Sequence, residues 1–112
     1  MKIANYKDTA SNRLGIPGAE GVMVRLLVGP DDGASEFVMM LLEIEPGGHT
    51  PDHHHPWEEE IFVKSGDGKL KTKDGEKPIR SGDALFFASD EPHQFHNTGA
   101  GALELICFIP RR

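Results

Sequence analysis

Four side chains suited to binding a transition metal occur in two short segments of the chain. His53, His55 and Glu59 lie in the segment HTPDHHHPWEEEIF, and His93 lies in the segment EPHQFHN. Side chains alternate between the two faces of an extended strand, so residues two or four positions apart point the same way. Three imidazoles and one carboxylate suit Mn, Fe, Co, Ni, Cu or Zn, whereas Ca and Mg prefer oxygen ligands alone. The sequence therefore predicts one divalent transition metal per chain at these four residues.

One alternative for the carboxylate ligand stays open at this point. Glu60 would replace Glu59 if Pro56 introduced a bulge that shifted the register of the strand. Glu59 is preferred because it shares its parity with the two histidines of the same segment. The other histidines are expected to lie outside the metal site. His54 and His96 have the wrong parity, and His49 lies in a predicted turn.

Size and composition exclude several classes of protein. The chain has 112 residues, which is enough for one domain with one core. Its formal charge of −6 and its scattered Lys and Arg residues argue against a nucleic-acid partner. No apolar run approaches the roughly 20 residues of a membrane-spanning helix, and the N-terminus lacks the apolar core of a signal peptide. The single Cys107, expected to be buried and inert, agrees with a reducing compartment, so a cytoplasmic protein without a membrane partner is expected.

The elements that must position the four side chains are predicted to be strands. Short apolar runs alternate with turn signals rich in Gly, Pro and Asp, a pattern typical of an all-β sandwich or barrel with antiparallel pairing. Strands are expected at residues 22–28, 36–45, 59–64, 68–72, 77–80, 84–88, 93–97 and 102–109, with a turn at 46–48 among the connections. Residues 1–20 show little pattern and are expected to form an N-terminal arm, followed by a single barrel domain at 21–112.

The run FVMMLL at 37–42 is apolar on both faces of its strand. Such a strand must be covered on both sides, by a second sheet or by another subunit. A barrel this small would leave this run or Phe62 partly exposed, so a homodimer that buries one outer face of the sheet is expected.

The two segments resemble the motifs of the cupin superfamily, in particular its small single-domain members. The first motif, G-x5-H-x-H-x3-4-E-x6-G, is matched by Gly47, His53, His55, Glu59 and Gly66. The second motif, G-x5-P-x-G-x2-H-x3-N, is matched by Gly82, His93 and Asn97, while Ala88 and Asp90 replace its proline and glycine. The resemblance implies a double-stranded β-helix, which is a small jelly roll with antiparallel strands. It also implies a metal in the mouth of the barrel with His53, His55, Glu59 and His93 as its ligands.

The fold and the ligand set do not fix a reaction, because this architecture supports many activities. Ile61, Val63 and Phe95, which share parity with the ligands, are apolar, and no catalytic residue beyond the metal ligands is predicted. Arg25 is the one strand residue whose positive charge could face a carboxylate, although its alternation with Met23 and Leu27 also allows an exposed position, which is favoured. An apolar mouth favours a dioxygenase-type oxidoreductase that acts on a small hydrophobic or aromatic molecule. The alternatives are a non-redox metal enzyme, such as a decarboxylase, isomerase or lyase, and a module that binds or senses a small molecule without turnover.

Overall fold

The computed structural model describes residues 1–111, and these residues form nine β-strands and two short 3-10 helices. The helices are Tyr6–Asp8 and Pro30–Asp32. The strands are β1 (Asn12–Arg13), β2 (Glu20–Val28), β3 (Phe37–His49), β4 (Glu59–Ser65), β5 (Asp67–Thr72), β6 (Gly75–Arg80), β7 (Ala84–Phe87), β8 (His93–Asn97) and β9 (Leu103–Pro110). The prediction of an all-β fold is confirmed. Within residues 1–111 we find no helix with the length and apolar character needed to span a membrane.

The strands form one antiparallel sheet that curls around the core. Its order is β6-β5-β8-β3-β9-β4-β7, and β2 and β1 continue from β3 on a branch. The long strand β3 pairs with β2 and β9 along most of its length and with β8 at its last residue, His49, so it belongs to both halves of the barrel. The curled sheet encloses a cluster of buried side chains made by Val22, Ile44, Ile61, Val63, Leu70, Ile79, Phe87, Phe95, Leu103, Leu105 and Cys107.

The prediction of a turn at residues 46–48 is wrong, because these residues continue β3. Ile44 of β3 pairs with Val22 of β2, and the next pair is His49 with Glu20. β3 therefore has more residues than β2 between these two pairs, and the extra residues form a bulge. Gly47 has a φ of 80°, in the left-handed region that glycine adopts without steric cost. A Cβ on Gly48 would lie 2.6 Å from the carbonyl oxygen of Glu20. The two glycines therefore permit a close strand crossing and do not mark a chain reversal.

The outer face of the FVMMLL run is covered in part by the N-terminal segment of the same chain, which lies beside Met39, whereas Phe37 is 71% exposed. Leu41 is 1% exposed although it lies outside the core cluster. Arg25, its partner in register on β2, donates hydrogen bonds to the carbonyl oxygens of Tyr6 and Thr9 and forms a 2.8 Å ion pair with Glu43. Arg25 thus anchors residues 6–9 to the outer face, where this part of the run needs neither a second sheet nor another subunit to cover it.

Asn97, the last residue of the second motif, ties three parts of the barrel together. Its buried Nδ2 donates to the carbonyl oxygens of Ile44 at 2.7 Å and Gly101 at 2.9 Å, and its Oδ1 accepts from the backbone N–H of Gly99 at 2.9 Å. The side chain thereby closes the turn between β8 and β9 and fixes that turn to β3. A buried amide with three backbone partners indicates a structural role for this motif residue.

We expect Asn97→Ala to destabilise the protein. The substitution leaves backbone groups without their partners, and each unsatisfied buried group costs about 1–3 kcal/mol. Urea denaturation measured by circular dichroism checks the loss, with Asn12→Ala on the exposed strand β1 as the matched control, for which a change within about 0.5 kcal/mol is expected. Equal denaturation midpoints for the two variants would contradict this role of Asn97.

Candidate metal centre

Direct backbone pairing places His53 beside His93. The two residues form an isolated antiparallel bridge, with His53 N–H donating to the His93 carbonyl at 3.3 Å and His93 N–H donating to the His53 carbonyl at 3.0 Å. Directly opposed residues in an antiparallel pair present their side chains on the same face. The two imidazole rings consequently lie with their centroids 5.0 Å apart. His53 is not part of a regular strand, because residues 50–58 form an irregular segment between β3 and β4.

His55 and Glu59 complete the cluster from the other side. The ring centroid of His55 lies 5.8 Å from that of His53 and 5.3 Å from that of His93. Glu59, the first residue of β4, places its Oε1 3.4 Å from His55 Nε2 and 3.1 Å from His93 Nε2. The four residues predicted from the sequence are therefore neighbours in space.

Backbone carbonyls orient two of the rings. His93 Nδ1 lies 2.9 Å from the carbonyl oxygen of Glu91, and His55 Nδ1 lies 3.0 Å from that of Trp57. Each Nδ1 therefore carries the proton and donates it, which leaves Nε2 to face Glu59 in both rings. A hydrogen bond from the outer nitrogen is the usual way in which proteins fix a metal-binding imidazole.

The environment shifts the pKa values of neighbouring imidazoles in opposite directions. Burial, followed by the nearby rings of His93 and His55, lowers the pKa of His53. Burial also works against protonation of His93, but the hydrogen bonds to Glu59 and to the Glu91 carbonyl outweigh it and raise the pKa of His93. Of these two imidazoles, His93 is therefore the one that its surroundings favour for protonation.

The remaining candidates from the sequence lie elsewhere. Glu60 is exposed whereas Glu59 is 8% exposed, so the carboxylate that points inward is Glu59. His54 is exposed on the outside, 3.5 Å from Asp90. Arg25 is occupied by Glu43 and the N-terminal segment, away from the cluster. Cys107 is fully buried, and burial, followed by the charge of Glu59, raises the pKa of its thiol.

The cluster lies at one wall of a cavity of about 220 Å³. Apart from Thr50 and the four clustered residues, the side chains that line this cavity are apolar: Leu14, Ile16, Val24, Met40, Leu42, Pro51, Trp57, Ile61, Phe95 and Ile109. Trp57 stacks on His55 with ring centroids 4.6 Å apart and an interplanar angle of 8°. The sequence indicated Ile61 and Phe95, but it gave no signal for Leu14 and Ile16, because residues 1–20 show no clear periodicity.

The turn before His93 contains the two departures from the second motif, Ala88 and Asp90. Asp90, at the glycine position, has a φ of 65° and is the one non-glycine residue of the described chain with a positive φ. Asp tolerates this left-handed conformation better than most residues. Its N–H donates to the His55 carbonyl at 2.7 Å, while the Glu91 carboxylate accepts from the Ala88 N–H at 3.0 Å. The turn thus connects the segments that carry His55 and His93.

The residues fit a first-row transition metal. The nitrogen atoms that His53, His55 and His93 offer all lie within 4.8 Å of one another. Imidazole nitrogens bound to one zinc ion lie about 2.0–2.1 Å from it, so a small movement of the side chains suffices. Glu59 Oε1, which lies 3.4 Å from His55 Nε2 and 3.1 Å from His93 Nε2, could supply a fourth donor, and this mixture of nitrogen and oxygen suits a transition metal.

We expect Glu59→Gln to lower the pKa of His93 in the metal-free protein. The substitution removes the negative charge that stabilises the imidazolium. The effect of burial, which disfavours protonation of His93, is then offset less. An NMR titration of the histidine Cε1 protons measures the shift. Glu60→Gln, which neutralises an exposed carboxylate next in the chain, serves as the control and should leave the His93 titration unchanged. An unchanged His93 titration in Glu59→Gln would contradict the assigned contact.

Known proteins resemble this chain in sequence and in structure. The family model described as Cupin domain matches residues 40–109. Protein SchB of Streptomyces halstedii is 32% identical over 107 residues, which cover 94% of this chain and 74% of that protein. Polyketide synthase CurC of Streptomyces cyaneus is 33% identical over 101 residues, which cover 88% of this chain but only 62% of CurC.

A solved structure extends the likeness to the whole fold. The polyketide cyclase RemF of Streptomyces resistomycificus has a TM-score of 0.95 and 32% sequence identity, covering 100% of this chain and 80% of RemF. The family model covers the long strand β3 from Met40 onward, both motif segments and most of β9. The expected double-stranded β-helix is confirmed, and the chain belongs to the cupin family.

Proposed function

We propose that the protein is a metal-dependent enzyme that acts on a small hydrophobic or aromatic molecule, with His53, His55, Glu59 and His93 as the metal ligands. The observation that carries the proposal is the combination of this cluster with an apolar cavity. None of the described residues that line the cavity is Lys or Arg. A sugar phosphate commonly binds to such cations as well as to a metal, so the apolar lining favours a substrate that is uncharged apart from any group on the metal.

Within this class we favour ring closure of a polyketide-like aromatic precursor. Support comes from the likeness over the whole chain to RemF, whose name describes it as a polyketide cyclase. A bound divalent metal would polarise a carbonyl oxygen or, if it is redox-active, activate dioxygen. In ring closure a methylene carbon forms a bond to a carbonyl carbon, and the methylene proton ends on the carbonyl oxygen before water is lost. Glu59 is the one carboxylate among the described lining residues, so proton transfer would use Glu59 or water.

A dioxygenase-type oxidoreductase is the second candidate. The apolar lining that excludes charged substrates equally suits an aromatic substrate that reacts with dioxygen, and three imidazoles suit Fe, Mn, Ni or Cu as well as Zn. The two reactions differ in one measurable respect, since ring closure needs no oxidant and a dioxygenase consumes oxygen together with its substrate.

We expect purified protein to contain about one transition metal ion per chain by elemental analysis. We expect it to convert a linear aryl poly-β-ketone into a ring-closed aromatic product at the same rate with and without oxygen. Oxygen uptake with catechols, diketones or aromatic alkenes would instead establish the dioxygenase.

His93→Ala should lose most of the metal and the activity while it keeps the β-sheet circular dichroism spectrum, and Glu60→Gln is the matched control.

Two outcomes contradict these proposals. Unchanged metal content in His93→Ala would refute the ligand assignment. Metal-loaded protein that binds the panel compounds, detected through the fluorescence of Trp57, without converting any of them would replace the enzyme with a small-molecule binding module.

We also propose that the protein is a homodimer formed through the outer face of β4, β7 and β9. Phe62 is 44% exposed and Phe86 56% exposed, and both line a shallow apolar depression together with Phe108. The N-terminal segment covers a different part of the outer surface, next to β2 and β3. Contiguous exposed aromatic side chains on a sheet are typical of an interface.

Sedimentation analysis at micromolar concentration tests the dimer. We expect wild-type protein to sediment as a dimer and Phe62→Glu combined with Phe86→Glu to sediment as a monomer, because two charged groups would become buried in the interface. Ile3→Glu, at an exposed apolar residue of the N-terminal segment, is the control and should remain dimeric. A monomeric wild-type protein would overturn the proposal.

A further inference from the structure

A row of polar side chains crosses four strands on the outer surface of the barrel. Glu20 on β2 lies opposite His49 on β3, His49 lies opposite His96 on β8, and His96 lies opposite Lys69 on β5. Residues that oppose each other in antiparallel strands share a face of the sheet. His93, Phe95 and Asn97 are buried, whereas His96, which alternates with them, is half-buried. The row therefore lies on the side of the sheet away from the candidate metal centre.

The spacing of the two histidines matches that of the inner cluster. The ring centroids of His49 and His96 lie 5.3 Å apart, with an interplanar angle of 38°. The three pairs formed by His53, His55 and His93 have centroid separations of 5.8, 5.0 and 5.3 Å. Two imidazoles at this distance can both approach one ion.

Hydrogen bonds hold one nitrogen of each outer ring and leave the other free. Gln94 Nε2 donates to the Thr50 carbonyl at 2.8 Å, so Gln94 Oε1, 3.0 Å from His96 Nε2, accepts the proton of that nitrogen. The same Thr50 carbonyl lies 3.2 Å from His49 Nδ1 and accepts from it. His49 Nε2 and His96 Nδ1 therefore keep their lone pairs, in the arrangement that orients metal-binding imidazoles.

We propose that His49 and His96 form a second metal site, on the outer surface, for a divalent ion such as Zn, Ni or Cu. Imidazole nitrogens select these ions over Ca and Mg, and water would supply the remaining ligands of an ion held by two histidines. Lys69 at the other end of the row is 3.7 Å from Glu76, which offsets its charge. With two half-buried histidines as its only protein ligands, the site binds its ion more weakly than the inner cluster of four residues.

Calorimetric titration with Zn(II) tests this site. Protein already loaded with one equivalent of Zn(II) should bind a second, weaker equivalent. His49→Ala and His96→Ala should each lower the affinity of the second equivalent at least about tenfold, and Gln94→Ala, which frees the His96 ring, should lower it about tenfold. His54→Ala removes an exposed histidine outside the row and should retain both equivalents.

The outer site stands independently of the inner one. A variant with both His53→Ala and His93→Ala should lose the tight equivalent and still bind the weak one, with circular dichroism confirming that the barrel is folded. Absence of a weak equivalent in wild-type protein, or its persistence in both His49→Ala and His96→Ala, would overturn the proposal.

Discussion

The backbone bridge between His53 and His93 is the contact on which the candidate metal centre depends. His53 lies in an irregular segment that no regular strand supports, and its two hydrogen bonds with His93 fix it against the start of β8. Thr50 adds two more, since its N–H donates to the Phe95 carbonyl and its Oγ1 accepts from the Phe95 N–H. Backbone pairing thus sets the positions of the two rings before any ligand binds, and preorganisation of this kind reduces the entropic cost of binding.

The apolar surroundings give the polar cluster its electrostatic character. Charges interact more strongly in a cavity of low polarity than in water, so the one carboxylate of the cluster has a large influence on the pKa of the imidazole that it contacts most closely. Glu59 contacts His93 and His55, and the pKa of His93 is raised while that of His53 is lowered. Phe87, stacked on His93 with ring centroids 4.2 Å apart, shields this side of the cluster from water. Because an imidazole binds a metal only in its neutral form, the raised pKa of His93 makes metal binding compete with protonation of this ring.

The N-terminal segment contributes to both faces of the barrel. Its first residues cover the outer face near Leu41, where Arg25 holds the carbonyls of Tyr6 and Thr9. The chain then passes to the mouth of the cavity, where Leu14, bonded through its N–H to the Val22 carbonyl at 2.9 Å, and Ile16 form part of the wall. A segment without strong periodicity therefore helps to define the space in which a substrate would be bound.

The sequence by itself determined the strand pattern, the parity that separates Glu59 from Glu60, and the two motifs, because these features depend on local alternation and fixed spacing. Cytoplasmic location, inferred from the N-terminal sequence and the single cysteine, stays a prediction. The bulge at residues 46–48, the Arg25 contacts and the cavity wall at Leu14 and Ile16 depend on residues far apart in the chain. The same holds for the pairing of His49 with His96, since the sequence indicated a turn for one and the wrong parity for the other. Only the tertiary structure decided these points, because strand register and loop docking arise from contacts between distant residues that no local pattern specifies.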